Sequence, residues 1–380
     1  MAARIAAISF LVMALALVIG CVSQQASDTP RPSPDRDDIE VSEVDKHYYL
    51  GAEYLRNDMF GEATREFLAV LEIDPNYQKA YTNLGFIYLQ QRRLTESIEA
   101  YQKAVELSPN DSEGHAGLGW AYMADGQFKE ATEEYRIATK LAPNAPDNFL
   151  NLGAAYEKQG LLPEAIESYR KAVELKPDDL SNVLTLGNLL YENELFVDAI
   201  SVYTHAVTLA PEEFSVVKTL GWLHLKVEDY ESAIEFYEKA AAMKPEDGQL
   251  RYWLAASYDK IGNASKSIEH MEKALELNPE NPDFYWLLAD QYVKVKRYSD
   301  AISVVRRELE IRPKSAAAYC IWGKALEKQG DFEGAINKFQ RAVECNDPAW
   351  HDYAIKEIGR QEALIKRREA IEEQEAFDDE

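Results

Sequence analysis

Large, small and polar side chains return along this chain with a period of 34 residues. Numbered so that a recurrent proline stands at position 32, the first unit runs from Val44 to Tyr77. Position 7 is then Leu50, Leu84, Leu118, Leu152, Leu186, Leu220, Leu254, Leu288 and Trp322. Position 8 is Gly51, Gly85, Gly119, Gly153, Gly187, Gly221, Ala255, Ala289 and Gly323. Position 20 is alanine or serine, from Ala63 to Ala335. Position 24 is large: Phe67, Tyr101, Tyr135, Tyr169, Tyr203, Tyr237, Met271, Val305 and Phe339. Position 27 is alanine in most units. Positions 4, 7, 8 and 11 share one helical face, and 20, 24 and 27 share another. The spacing predicts two helices per unit. Small residues at 8 and 20 let the backbones approach, and large residues at 7, 11 and 24 fill the space beside them.

Between these helices Gly126, Gly160, Gly262 and Gly330 stand at position 15, where a helix C-terminus favours glycine. Pro75, Pro109, Pro143, Pro177, Pro211, Pro245, Pro279 and Pro313 end the second helix of each unit. The next interval falls on Asp347, with Pro348 one place late, and the eighth unit has Glu308 at position 27. Looser packing is expected at both departures. A single hairpin cannot bury its apolar face, so neighbours must stack, and a period of this length marks a solenoid.

The pattern resembles the tetratricopeptide repeat family over residues 44–349. The resemblance implies an all-α, right-handed superhelical solenoid of nine helical hairpins: 44–77, 78–111, 112–145, 146–179, 180–213, 214–247, 248–281, 282–315 and 316–349. Residues 350–380 then read as a capping helix and acidic tail, with Trp350, Tyr353, Ala354 and Ile358 on its packing face. The closing EEQEAFDDE places acid at a helix C-terminus, against the macrodipole, and is predicted to fray.

Charge narrows the partners. The 41 basic and 66 acidic residues give a formal charge of −25. That excess argues against nucleic acid, which is bound through a basic footprint. No phosphate-binding loop, nucleophile elbow or metal-ligand spacing occurs among the six histidines and three cysteines. The chain therefore reads as a non-enzyme without a metal or small-molecule cofactor. Cys320 and Cys345 fall near the same end of the ninth hairpin, either as a disulfide or as two separate thiols.

In the family the first helices line a concave groove, and positions 2, 5, 9, 12 and 13 typically face it. The resemblance thus implies a partner-binding set of Tyr48, Phe86, Trp120, Lys158, Lys218, Trp222, Lys226, Tyr252, Lys260, Trp286 and Lys294. Aromatics offer contact area at low entropy cost, and a lysine row would meet acidic groups of a protein segment. The lysines read equally as solvated helix ends, and the tryptophans as residues half-buried between repeats. The clamp of chaperone-tail binders is not formed, since Leu184, Asn188, Thr219, Gln249 and Trp253 stand at its positions. The asparagine ladder of the sugar-transferase superhelix is reduced to Asn83 and Asn151.

The N-terminus carries Arg4 and then an uncharged run from Ile5 to Val22, the pattern of an export signal. Val18-Ile19-Gly20-Cys21 resembles the lipobox of bacterial lipoproteins, which implies a signal peptide over 1–20 and acylation of Cys21. An uncleaved membrane anchor and a plain secretory signal are the two other readings of this run. Val22 stands where sorting-avoidance signals have Asp, which implies the outer membrane, facing the periplasm, in a host with two membranes. Residues 21–43 are rich in proline and acid and read as a flexible tether. The expectation is a lipid-anchored scaffold of the bacterial cell envelope that serves assembly of a secretion, pilus or export complex. An adaptor for peptidoglycan enzymes and a glycan-binding protein are the alternatives. Cys21→Ser is expected to abolish acylation and leave the precursor uncut at this site. Mass spectrometry of the mature N-terminus checks it, and an unmodified start elsewhere contradicts the lipoprotein reading.

Overall fold

The computed structural model describes residues 42–378, with side chains described to residue 372. Cys21 and the whole export-like run lie outside the described residues. Among the described residues there are α-helices, one short 3-10 turn at Pro282–Phe284 and no strand. The described residues divide into two compact units, one ending at Asn182 and the other beginning at Val183.

In the first unit, hairpins are formed by α1 (Glu43–Arg56) with α2 (Phe60–Ile73) and α3 (Gln78–Gln90) with α4 (Leu94–Leu107). Two more follow: α5 (Ser112–Asp125) with α6 (Phe128–Leu141), and α7 (Pro146–Lys158) with α8 (Leu162–Leu175). Helix α9 (Leu180–Glu192) contains the boundary between the units and precedes α10 (Phe196–Leu209). The second unit continues with α11 (Phe214–Lys226), α12 (Tyr230–Met243), α13 (Gly248–Lys260) and α14 (Ala264–Leu277). It ends with α15 (Tyr285–Lys294), α16 (Tyr298–Ile311), α17 (Ala316–Gln329), α18 (Phe332–Glu344) and the long α19 (Pro348–Asp378). Within each unit, adjacent helix pairs pack in the manner of a solenoid.

Seven of the nine hairpins close on the same contact. A methyl placed on the position-8 glycine would meet the position-24 ring of its own hairpin. The approach would be 2.7 Å for Gly85 on Tyr101, 2.6 Å for Gly119 on Tyr135, 2.7 Å for Gly153 on Tyr169 and 2.8 Å for Gly221 on Tyr237. The ring therefore lies on the bare glycine backbone, and the two helices approach through it. Two hairpins have alanine instead, Ala255 and Ala289, and these pair with Met271 and Val305. The added methyl coincides with loss of the ring, so the two positions compensate in volume. At position 20, Ser97 Oγ donates to the Gly85 carbonyl at 2.7 Å and Ser267 Oγ to the Ala255 carbonyl at 2.8 Å. Each buried hydroxyl is thereby satisfied.

The turn between helices is more uniform than its glycines suggest. Position 15 is left-handed in all nine hairpins: φ is 80° at Gly126 and 73° at Gly160, and also 57° at Asp58, 60° at Arg92, 60° at Glu194, 62° at Glu228 and 64° at Lys296. The next residue closes a Schellman bond to the position-11 carbonyl, as in Met59 N to Tyr54 O at 2.9 Å and Arg297 N to Tyr292 O at 2.8 Å. This bond holds the backbone even where the side chain opposes it.

The prolines act one residue upstream. Asp74, before Pro75, is extended at φ −126° and ψ 93°, so α2 ends at Ile73. Where proline comes late, Asn346 takes a left-handed φ of 53° instead, and Pro348 opens α19. Position 4 then holds the carbonyl of the preceding proline. Tyr285 Oη donates to Pro279 O at 2.6 Å, and His115 Nε2 lies 3.0 Å from Pro109 O. The other ring nitrogen of His115 is 2.6 Å from Glu134 Oε2. The position-4 histidine is thus a polar clasp as well as a packed ring.

One expectation is corrected. The departure at Glu308 does not loosen its hairpin: the side chain is 1% exposed. Its Oε1 accepts from Ser315 Oγ at 2.6 Å, while Oε2 is buried without a partner among the described residues. Helix α19 continues to Asp378. Its start covers the last hairpin, with Ala354 buried and Trp350, Tyr353 and Ile358 packed against Phe339, Ala335 and Cys320. Cys320 and Cys345 are free thiols. Burial pushes the Cys320 thiol up to about 12.

Two measurements follow. Gly221→Ala is expected to cost about 1–3 kcal/mol. Combining it with Tyr237→Val should cost less than the sum of the two single changes, by about 0.5 kcal/mol or more, because the pair then matches Ala289 and Val305. Additive denaturation energies would contradict the volume lock. Burial raises the Glu308 carboxyl above its ordinary range, opposed by Ser315 and Arg312. A raised folded-state pKa means stability that is present in acid and lost as pH rises through that value. Glu308→Gln should therefore gain roughly 1 kcal/mol at pH 7, and the gain should vanish toward pH 4. A gain that is independent of pH would show that the carboxylate charge is not its source.

Candidate partner-binding surface

The first helices carry most of the residues expected to meet a partner, and packing has already used several of them. In the first unit, Tyr48 is half-buried, 5.9 Å from Phe67 and 5.2 Å from Tyr77. Burial raises its hydroxyl pKa against a hydrogen bond with Asn83. Phe86 is 8% exposed and belongs to the core beside Leu84 and Ile87, so little of its ring is left for a partner. Trp120 is half-buried against Tyr135 and Leu152. Lys158 is exposed at the end of α7.

The second unit gathers its aromatics more densely. Trp222 on α11 lies 4.8 Å from Tyr191 on α9 and 5.6 Å edge-on from Phe196 on α10. Lys226, one turn on, holds its ammonium 4.8 Å from the Trp222 ring. Lys218, two turns before Lys226, lies 5.0 Å from Phe214 and 6.0 Å from Trp253. Trp253 stacks on Tyr237 at 5.7 Å. The Tyr237 hydroxyl is buried with no partner among the described residues, and burial raises its pKa. The corresponding hydroxyl of Tyr203 donates to Asn188 Oδ1 at 2.5 Å, a position-9 residue. Tyr252 is half-buried and stacked at 5.3 Å on Phe284.

Two lysines thus end an aromatic stripe, each over a ring at cation–π distance. Lys260 is exposed at the end of α13. Lys294 is engaged differently. It bridges Asp259 Oδ1 at 2.6 Å and Asp290 Oδ2 at 3.0 Å, and Lys324 lies 3.5 Å from Asp290 Oδ1. Burial works against the charge of Lys294, but the two carboxylates outweigh it and raise its pKa. Trp286 is half-buried in a pocket of about 250 Å3 with Ile321, Trp350 and Tyr353. Tyr191, Trp253 and Trp350 were absent from the expected set. Tyr191 and Trp253 occupy positions 12 and 6, and Trp350 comes from the capping helix, so no single repeat position points to all three.

Three models of the tetratricopeptide repeat match residues 79–111, 100–133 and 117–179. A model described as anaphase-promoting complex, cyclosome, subunit 3 matches residues 226–307 and 260–342. The fold is that of the tetratricopeptide repeat. Among solved structures, the C-terminal part of a TPR repeat-containing protein from Cytophaga hutchinsonii is 18% identical, with a TM-score of 0.53. The match covers 62% of this chain and 97% of that one. A structure of Naa15/Naa10 bound to HypK-THB is 11% identical over 83% of this chain and 66% of that one, with a TM-score of 0.50. YrrB, described as a TPR protein with an unusual peptide-binding site, is 22% identical over 50% of this chain and 100% of that one, at a TM-score of 0.44. No curated protein matches the chain. Among the described residues, no group of three or more His, Cys, Asp or Glu could hold a metal, and no helix is long and apolar enough to cross a membrane.

If Trp222 anchors a partner, Trp222→Ala should weaken binding about thirtyfold at any salt, the effect of losing a buried hot spot. Lys226→Ala should matter mainly at low ionic strength. Surface plasmon resonance on variants with matched melting curves checks both. Unchanged affinity for a folded Trp222→Ala protein would move the binding surface elsewhere.

Proposed function

We propose that this protein is a membrane-tethered scaffold of the bacterial cell envelope. In this reading it holds extended segments of protein partners on the face of its first helices during assembly of an envelope complex for secretion, pilus formation or export. Tetratricopeptide repeats generally serve protein–protein interaction, which supports the scaffold role. The tether reading rests on the sequence, with Cys21 as the acylated residue. A multiply acylated cysteine binds a bilayer firmly, since each buried methylene contributes about 0.8 kcal/mol.

The observation that carries the scaffold reading is the stripe on the second unit. Lys218, Trp253, Trp222 and Lys226 are each left partly or largely exposed by the packing. Rigid aromatics flanked by cations, on a chain of net charge −25, form a local surface suited to acidic and apolar segments. Crosslinking and co-purification of the full-length protein from its native membrane test the proposal. Recovery of secretion, pilus or export subunits is the expected result. Recovery of peptidoglycan hydrolases would redirect the protein to cell-wall turnover, and fractionation with the cytoplasm would overturn the envelope assignment.

A further inference from the structure

We infer that the pocket between α15, α17 and the start of α19 receives an aromatic side chain of an extended partner peptide, next to an aspartate or glutamate that Lys324 binds. The inference rests on the scaffold reading above and assigns one part of its surface a defined ligand chemistry.

Size comes first. A volume of about 250 Å3 lies below the roughly 300–1,000 Å3 of small-molecule sites, so the pocket suits one side chain of a longer ligand. Its walls are Trp286, Trp350, Tyr353 and Ile321, and its polar edge is Asp290 with Lys324. Trp286 and Trp350 keep part of their surface exposed, and Trp350 is fixed edge-on against Tyr353 at 5.9 Å. Rigid indole walls of this kind are typical anchor sites for a partner's ring.

Charge supplies the second half. Asp259, Lys294, Asp290 and Lys324 alternate in sign along three successive first helices, at separations of 2.6, 3.0 and 3.5 Å. The loosest link is the last. Asp290 is shared between two cations, whereas among the described residues Lys324 has this one long ion pair and a side chain 40% exposed. The residue one period further along is Ile358, so the capping helix brings no acid to continue the alternation at that position. The ladder therefore ends on a lysine at the mouth of an aromatic pocket. A carboxylate beside the inserted ring would add the missing rung, and the ring would displace water from the indoles.

The test uses the full-length protein in detergent and a fluorescein-labelled peptide, Gly-Ser-Phe-Asp-Ser-Gly-Ser, followed by fluorescence anisotropy up to millimolar protein. Replacing Phe by Ala, or Asp by Asn, in the peptide should each weaken binding about tenfold. Lys324→Ala should erase the preference for Asp over Asn and flatten the salt dependence while the preference for Phe persists. Lys324→Arg should retain both preferences, Trp350→Ala should lose the preference for Phe, and Lys273→Ala, on the exposed side of α14, should change nothing. Equal binding of all three peptides, or an intact Asp preference in folded Lys324→Ala, would overturn the inference. A native partner bound equally well by wild type, Lys324→Ala and Trp350→Ala would also overturn it, while leaving the scaffold reading standing. Failure to recover any protein partner would instead count against the scaffold.

Discussion

The contact between a position-8 glycine and the position-24 ring of the same hairpin is the constraint on which the rest of this structure depends. It sets how closely two helices approach, and so how each hairpin presents its outer faces to the next. Protein interiors are packed to crystal-like density, which leaves no slack for an extra methyl at 2.6–3.0 Å from a ring. The chain follows this rule in both directions. Where position 8 gains a methyl, at Ala255 and Ala289, position 24 loses its ring, at Met271 and Val305. Serine at position 20 adds a hydrogen bond across the same interface without adding bulk, as in Ser97 and Ser267.

Much of the fold was legible because it is periodic. Prolines, small residues and rings recurring every 34 residues specify helix, turn and helix. Less legible was anything carried by the backbone. The left-handed turn at position 15 was visible at its four glycines and hidden at Asp58, Arg92, Glu194, Glu228 and Lys296, where a Schellman bond imposes it. Likewise Glu308 looked like a loosened site in a pattern of alanines, and it is instead a buried carboxylate. The binding set was the least legible. Groove positions inferred from a family pattern do not tell how far a ring sinks, so Phe86 proves to be core, while Trp253 and Trp350 join the partly exposed surface from other positions.

Electrostatics divides the exposed lysines into two kinds. Lys218 and Lys226 lie over rings, where their charge is screened by neither a carboxylate nor full burial. Lys294 is held between two aspartates and serves the scaffold itself. An acidic protein thus keeps a few cations free of strong ion pairs on its aromatic surface, and that arrangement gives orientation and association rate to a partner more than raw affinity.

Because each hairpin touches its neighbours, damage to one lock should stay local. Native-state hydrogen exchange on Gly153→Leu tests this most directly. The account predicts lost protection in α7 and α8 and, more weakly, in α5 and α6, while α1, α2, α17 and α18 keep wild-type protection. A uniform rise in exchange along the whole chain would contradict it.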